Sequence, residues 1–156
     1  MIRTTPLWII IAVLSAIIIV AGYKFIISGN TTVSEDGRTA VLLSKTERQT
    51  VLGEMRDLLT ATQQIIKGLA ENDMDAVVSA ATPVSSQGHA TVDFQLASKL
   101  PIDFKKLGFA THHAFDEIIS MAKAGQPKDD IQFKLVEIMD NCIACHASFR
   151  LPEAKE

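Results

Sequence analysis

The sequence predicts an all-α protein: an antiparallel four-helix bundle preceded by an N-terminal transmembrane helix. Three observations carry this. An uncharged apolar run opens the chain. Apolar residues then recur at helical spacing in successive segments. Mostly short loops join those segments, as antiparallel neighbours require. No internal repeat or low-complexity stretch interrupts the pattern. At 156 residues the chain has room for one modest domain and an appendage.

The formal net charge is −3. Arg3 and Lys24 are the charged residues of the N-terminal stretch, so the remainder is more acidic than the whole. That balance argues against nucleic acid and suits a basic protein surface.

From Thr4 to Tyr23 the chain is uncharged and dominated by Ile, Val, Leu and Ala, close to the ~20 residues a bilayer requires. Trp8 and Tyr23, the sole Trp and Tyr, bracket the run. Helical rise sets them roughly 22 Å apart, a fit to two interfacial aromatic belts. Lys24 can snorkel to the headgroups. A cleaved signal peptide has an apolar core of about 7–15 residues ended by a small-x-small site. Here the run is longer and no Ala-x-Ala follows, so the expectation is an uncleaved anchor over residues 1–28. Residues 29–43 read as a flexible linker spanning roughly 20 Å as a coil, with Val41 to Leu43 apolar enough to lie against the domain of residues 44–156.

Ser44 and Glu47 form a capping-box pattern. Val51, Leu52, Met55, Leu58, Leu59, Ile65, Ile66 and Leu69 follow at helical spacing, which predicts a helix over 45–71. Asn72 or Asp73 caps a second helix over 74–82, stopped by Pro83. Residues 84–100 are ambiguous, with Phe94 to Leu100 a short helical turn. Pro101 opens a third helix bearing Phe104, Leu107, Thr111, Phe115, Ile118 and Met121. Asp129 or Asp130 caps a fourth, whose inner face holds Ile131, Leu135, Ile138, Met139, Cys142, Cys145, His146 and Phe149.

That last helix carries the chemistry. Cys142, Ile143, Ala144, Cys145 and His146 form a Cys-x-x-Cys-His run containing both cysteines of the chain. This spacing attaches a c-type haem: each thiol adds across a vinyl group, and the adjacent imidazole reaches the iron. The expectation is one covalent haem c, with thioethers at Cys142 and Cys145 and His146 as iron ligand. A zinc site would need four protein ligands, drawing on His89, His112 or His113. A dithiol redox pair expects a βαβ setting. His112 and His113 read as haem-propionate partners, as surface or boundary residues, or, for one of them, as an iron ligand if Met55 is not. Arg48 and Arg56 suit propionate pairing or a solvated face.

The run Cys142-Ile-Ala-Cys-His-Ala-Ser-Phe-Arg150, on the last of four helices, resembles the ending of the class II cytochromes c. These include the cytochromes c prime and a low-spin, Met-ligated branch, and the resemblance covers about residues 44–151. It implies that Cys142 and Cys145 carry the thioethers and His146 is the proximal ligand. It also implies that Arg150 lies near the haem, beside the plain alternative of a cation at a helix C-terminus. It makes Met55, the sole Met of the first bundle helix, the distal iron ligand; the plain alternative is core packing. It further implies a homodimer formed through the first two bundle helices. The anchor departs from the many freely soluble members.

The expected function is a membrane-tethered, single-haem electron carrier and not an enzyme; no paired carboxylates, nucleophile elbow or phosphate loop occurs. Expected partners are membrane or periplasmic redox proteins and the lipid bilayer. Haem attachment outside the cytoplasm implies a single pass through a bacterial inner membrane, with the N-terminus cytoplasmic and the domain in the periplasm. Two alternatives stand: a protein with an open sixth iron position that binds nitric oxide or carbon monoxide, and a haem-bearing subunit of a membrane oxidoreductase.

Overall fold

The structure, a computed structural model, describes residues 5–88 and 93–153; Arg3 and His89 lie outside them. Helix α1, Thr5–Gly22, is apolar all round and exposed from Leu7 to Val20. With the turn that follows it gives one stretch, Leu7–Ser28, of mean hydropathy 2.5, long and apolar enough to cross a membrane. Its last turn, Tyr23–Ser28, widens to a π-helix. Gly29 closes it at φ +64°, its N–H bonding the Lys24 carbonyl at 2.9 Å.

Helix α2, Lys45–Glu71, starts with the expected capping box. The Ser44 N–H donates to Glu47 Oε2 at 2.8 Å, and the Glu47 N–H to Ser44 Oγ at 3.3 Å, satisfying donors that a helix start leaves orphaned. Asn72 ends it in the left-handed conformation, φ 57°. Asp73 then caps α3, Met74–Ala81, by accepting from the Ala76 N–H. A 3₁₀ turn, Thr82–Val84, takes over where Pro83 breaks the pattern. Next come α4, Phe94–Lys99, α5, Ile102–Lys123, and α6, Lys128–Ser148. Pro101 stands at the cap of α5, one place before the expected first helical position, and Pro127 caps α6, so that Asp129 and Asp130, expected as its cap, lie in its first turn.

Helix α2 packs on α3, α3 on α5 and α5 on α6, while α6 touches α2 sparsely. Gly68 lets α2 and α3 close: a Cβ there would stand 2.9 Å from Val77 Cγ2. One core gathers Ile65, Val77, Phe115, Ile118, Ile131, Leu135 and Ile138. A second gathers Val41, Leu43, Val51, Leu96, Leu100 and Phe104.

Residues 29–43 depart from the coil expectation. They form a hairpin of β1, Thr31–Val33, and β2, Thr39–Val41, with Thr32 opposite Ala40. Strand β2 also pairs in parallel with β3, Phe149–Arg150, directly after α6. The cause is part tertiary and part local: Val41 and Leu43 have a core to enter, and Gly37 at φ +83° permits the turn. Phe149 therefore leaves the helix and meets the Phe104 ring edge-on, centroids 5.4 Å apart.

Candidate functional site

The site grows from the periodicity of α6. Ile131, Leu135 and Ile138 face the core and are buried. Seven residues on, two helical turns, Cys142 continues the line of Leu135 and Cys145 that of Ile138. The stripe does not stay covered. Met139 is 44% exposed and Ile143, between the two cysteines, 64%. Cys142 and His146 are exposed and Cys145 is half-buried.

Both cysteines are free thiols. Burial pushes both thiols above the ordinary value, and at Cys145 the neighbouring Cys142 adds to the effect. Among the described residues, no three His, Cys, Asp or Glu side chains gather to hold a metal ion.

Met55 lies across from this face on α2, half-buried. It packs against the second core, and Cys145 and Phe149 pack against the same core. Two sulfur-bearing side chains from opposite ends of the domain sequence are thus brought to one apolar cluster. Beyond it, α2 exposes Leu59 and Ile66, at 70% and 51%. A cleft of about 310 Å³ runs between α2 and α6, lined by Ile66, Leu69, Leu135, Val136 and Met139 among others.

Four of the other expected residues have partners in the protein. Arg150 is exposed and lies 3.5 Å from the Asp36 carboxylate. Arg48 donates through Nε to the Leu151 carbonyl at 2.9 Å. His112 is buried with Nδ1 2.7 Å from the Val84 carbonyl oxygen, which ties α5 to the 3₁₀ turn. His113 is exposed beside Glu117 at 3.4 Å, and Arg56 is exposed.

Sequence reasoning missed Asp36 and Arg38. Arg38 reaches from the hairpin and donates through Nη1 to the backbone carbonyl of His146 at 3.1 Å. Asp36 braces it, accepting from Arg38 Nε at 2.9 Å and Nη2 at 2.6 Å. The hydrogen bond from the Arg38 side chain is the chief reason the Asp36 carboxyl sits below the usual carboxylate range. The one available signal was Asp-Gly-Arg as a turn between two β-branched pairs.

These features define a class: a predominantly helical chain with one apolar N-terminal helix and a free Cys-x-x-Cys-His face at the end of its last helix. No protein-family model, curated protein or solved structure matches the chain.

Proposed function

We propose that the protein is a membrane-tethered single-electron carrier of the class II cytochrome c kind, with α2, α3, α5 and α6 acting as an antiparallel four-helix bundle around one covalent haem. The observation that supports this most is the core-facing stripe of α6. It runs on past Ile138 into Cys142, Cys145 and His146 with part of it uncovered. A flat apolar group attached there would complete the burial that the periodicity calls for.

The residues fit such a group. Cys142 and Cys145 would hold it by thioethers, and both are free thiols. His146 and Met55 would ligate its iron. A group that brings nitrogen donors of its own needs few from the protein, and these two residues would supply them. When bound, haem supplies an Fe(III)/Fe(II) couple that passes one electron at a time. The chain does the rest. The helix backbone of α6 fixes the spacing of the two sulfurs and the imidazole. The second core keeps water from the side on which Cys145 and Met55 meet it. A neutral thioether at Met55 would favour the reduced iron and raise the potential. Arg150, in β3 beside the Asp36 carboxylate, would keep a fixed positive charge four residues after His146.

The proposed setting is a bacterial inner membrane, with α1 spanning it and the domain in the periplasm. Retention of α1 is supported by its last turn, which is built into the domain: Lys105 Nζ donates to the Ile26 carbonyl at 2.9 Å. Membrane or periplasmic redox proteins would be the partners.

The test is an optical spectrum of the natively matured protein, oxidised and reduced, with and without carbon monoxide. The reading predicts a low-spin c-type spectrum unchanged by carbon monoxide. A high-spin spectrum that responds to carbon monoxide would favour gas binding at an open sixth position. A protein with no haem absorption would overturn the reading.

A further inference from the structure

The junction between α1 and the domain holds more than a tether requires. The Asn30 N–H donates to the Lys99 carbonyl at 2.7 Å, and the Leu42 N–H to the Asn30 carbonyl at 2.8 Å. Gly29 packs against the α4–α5 corner so closely that a Cβ would stand 2.5 Å from the Lys99 carbonyl oxygen. With φ at +64°, few other residues fit there at all. Lys105 seals the joint from α5.

The same corner adjoins the candidate site. Leu100 and Phe104 belong to the core that Met55 and Cys145 pack against. Helix α5 leads away from this corner over 22 residues, roughly 33 Å at the helical rise. Helix α6 returns over 21 residues. The Cys142–His146 end therefore comes back beside the exit of α1, and the α5–α6 turn lies at the far end.

We propose that α1 and the domain are spliced as one rigid body that holds the Cys142–His146 end against the phospholipid headgroups. This rests on α1 spanning the bilayer, as in the proposed function. Charge supports the contact: Lys24 and Lys105 meet where α1 enters the domain, their ammonium groups on the Gly29 and Ile26 carbonyls, and such juxtamembrane cations attract anionic headgroups. The consequence is a restriction on partners. A molecule that meets the Cys142–His146 face must reach it at the membrane surface, so a carrier held this way serves partners in the membrane plane.

The test uses the full, natively matured chain in nanodiscs of phosphatidylethanolamine and phosphatidylglycerol containing a little gadolinium-chelate lipid. A keto amino acid placed at Ser148 or at Gln126 carries an oxime-linked nitroxide, which leaves the cysteines untouched. The label at Ser148 is expected to relax several-fold faster than that at Gln126, and a Gly-Ser insert between Ser28 and Gly29 to abolish most of the difference. Equal relaxation at the two sites, or a gradient indifferent to the insert, would overturn the proposal, as would mature protein lacking α1. Label position does not depend on haem, so a colourless protein with an intact gradient would sink the haem reading alone.

Discussion

Arg38 and His146 stand 108 residues apart in the chain and are joined by a hydrogen bond, the Arg38 guanidinium donating to the His146 backbone carbonyl at 3.1 Å. The bond satisfies a carbonyl in the last turn of α6, where no intrahelical donor remains, and it adds a cation where the helix dipole favours one. A segment that reads as a linker thus clasps the residue proposed to bind iron.

Arg38→Ala is expected to loosen the end of α6 without unfolding the domain. Amide hydrogen exchange at Ser148 and Phe149 should quicken several-fold, and Arg38→Lys should restore only part of the protection because it lacks the fork that engages both Asp36 and His146. Unchanged protection would show that the strand pairing of β3 alone holds this end.

Met55 separates electron transfer from packing. Met55→Leu keeps the volume of the side chain and should cost less than about 1.5 kcal/mol, yet it should convert a low-spin spectrum to high-spin and lower the reduction potential. A low-spin spectrum that survives the change would remove Met55 from the iron.

Glu47 gives a pH dependence of known sign. The hydrogen bond from Lys99, first, and that from the Ser44 backbone hold its carboxyl below the ordinary value of 4.5. The folded state therefore favours the ionised form, and the contribution is full above that value and lost as the pH falls through the lowered one. Glu47→Gln preserves the capping geometry and should cost about 1 kcal/mol or less at neutral pH. Urea midpoints measured across the acid range should fall less steeply for the variant than for the parent; parallel curves would contradict the assignment.

Gly68→Ala should destabilise despite the better helix propensity of alanine. Its Cβ would meet Val77 Cγ2 at 2.9 Å and the Asp73 carbonyl oxygen at 3.1 Å. Val77 is fully buried and stiff at χ1, so the cost is expected near 1–3 kcal/mol. A raised thermal midpoint would show that α2 and α3 can part without penalty.

What the sequence made legible follows from how local each signal is. The Ser44–Glu47 box, the Asp73 cap and the helical stripes act within a few residues, and the structure bears them out. The apolar N-terminal run is likewise visible in composition, and the stretch Leu7–Ser28 is long and apolar enough to cross a membrane. The small sheet was not legible, because β2 pairs with β3 more than a hundred residues later and each strand is too short to alternate clearly. The partners of Arg48 and Arg150 escaped for the same reason: Leu151 and Asp36 are chosen by tertiary contact and not by spacing. Periodicity put Cys142 and His146 on an inner face, whereas the protein leaves both exposed. A helical stripe reports where apolar cover is wanted and not which molecule provides it.

The most direct measurement is the intact mass of the natively matured chain with its membrane helix retained. The account predicts one covalently added haem, with no thiol left to alkylate at Cys142 or Cys145. A mass equal to that of the bare polypeptide, with both thiols open to alkylation, would contradict it.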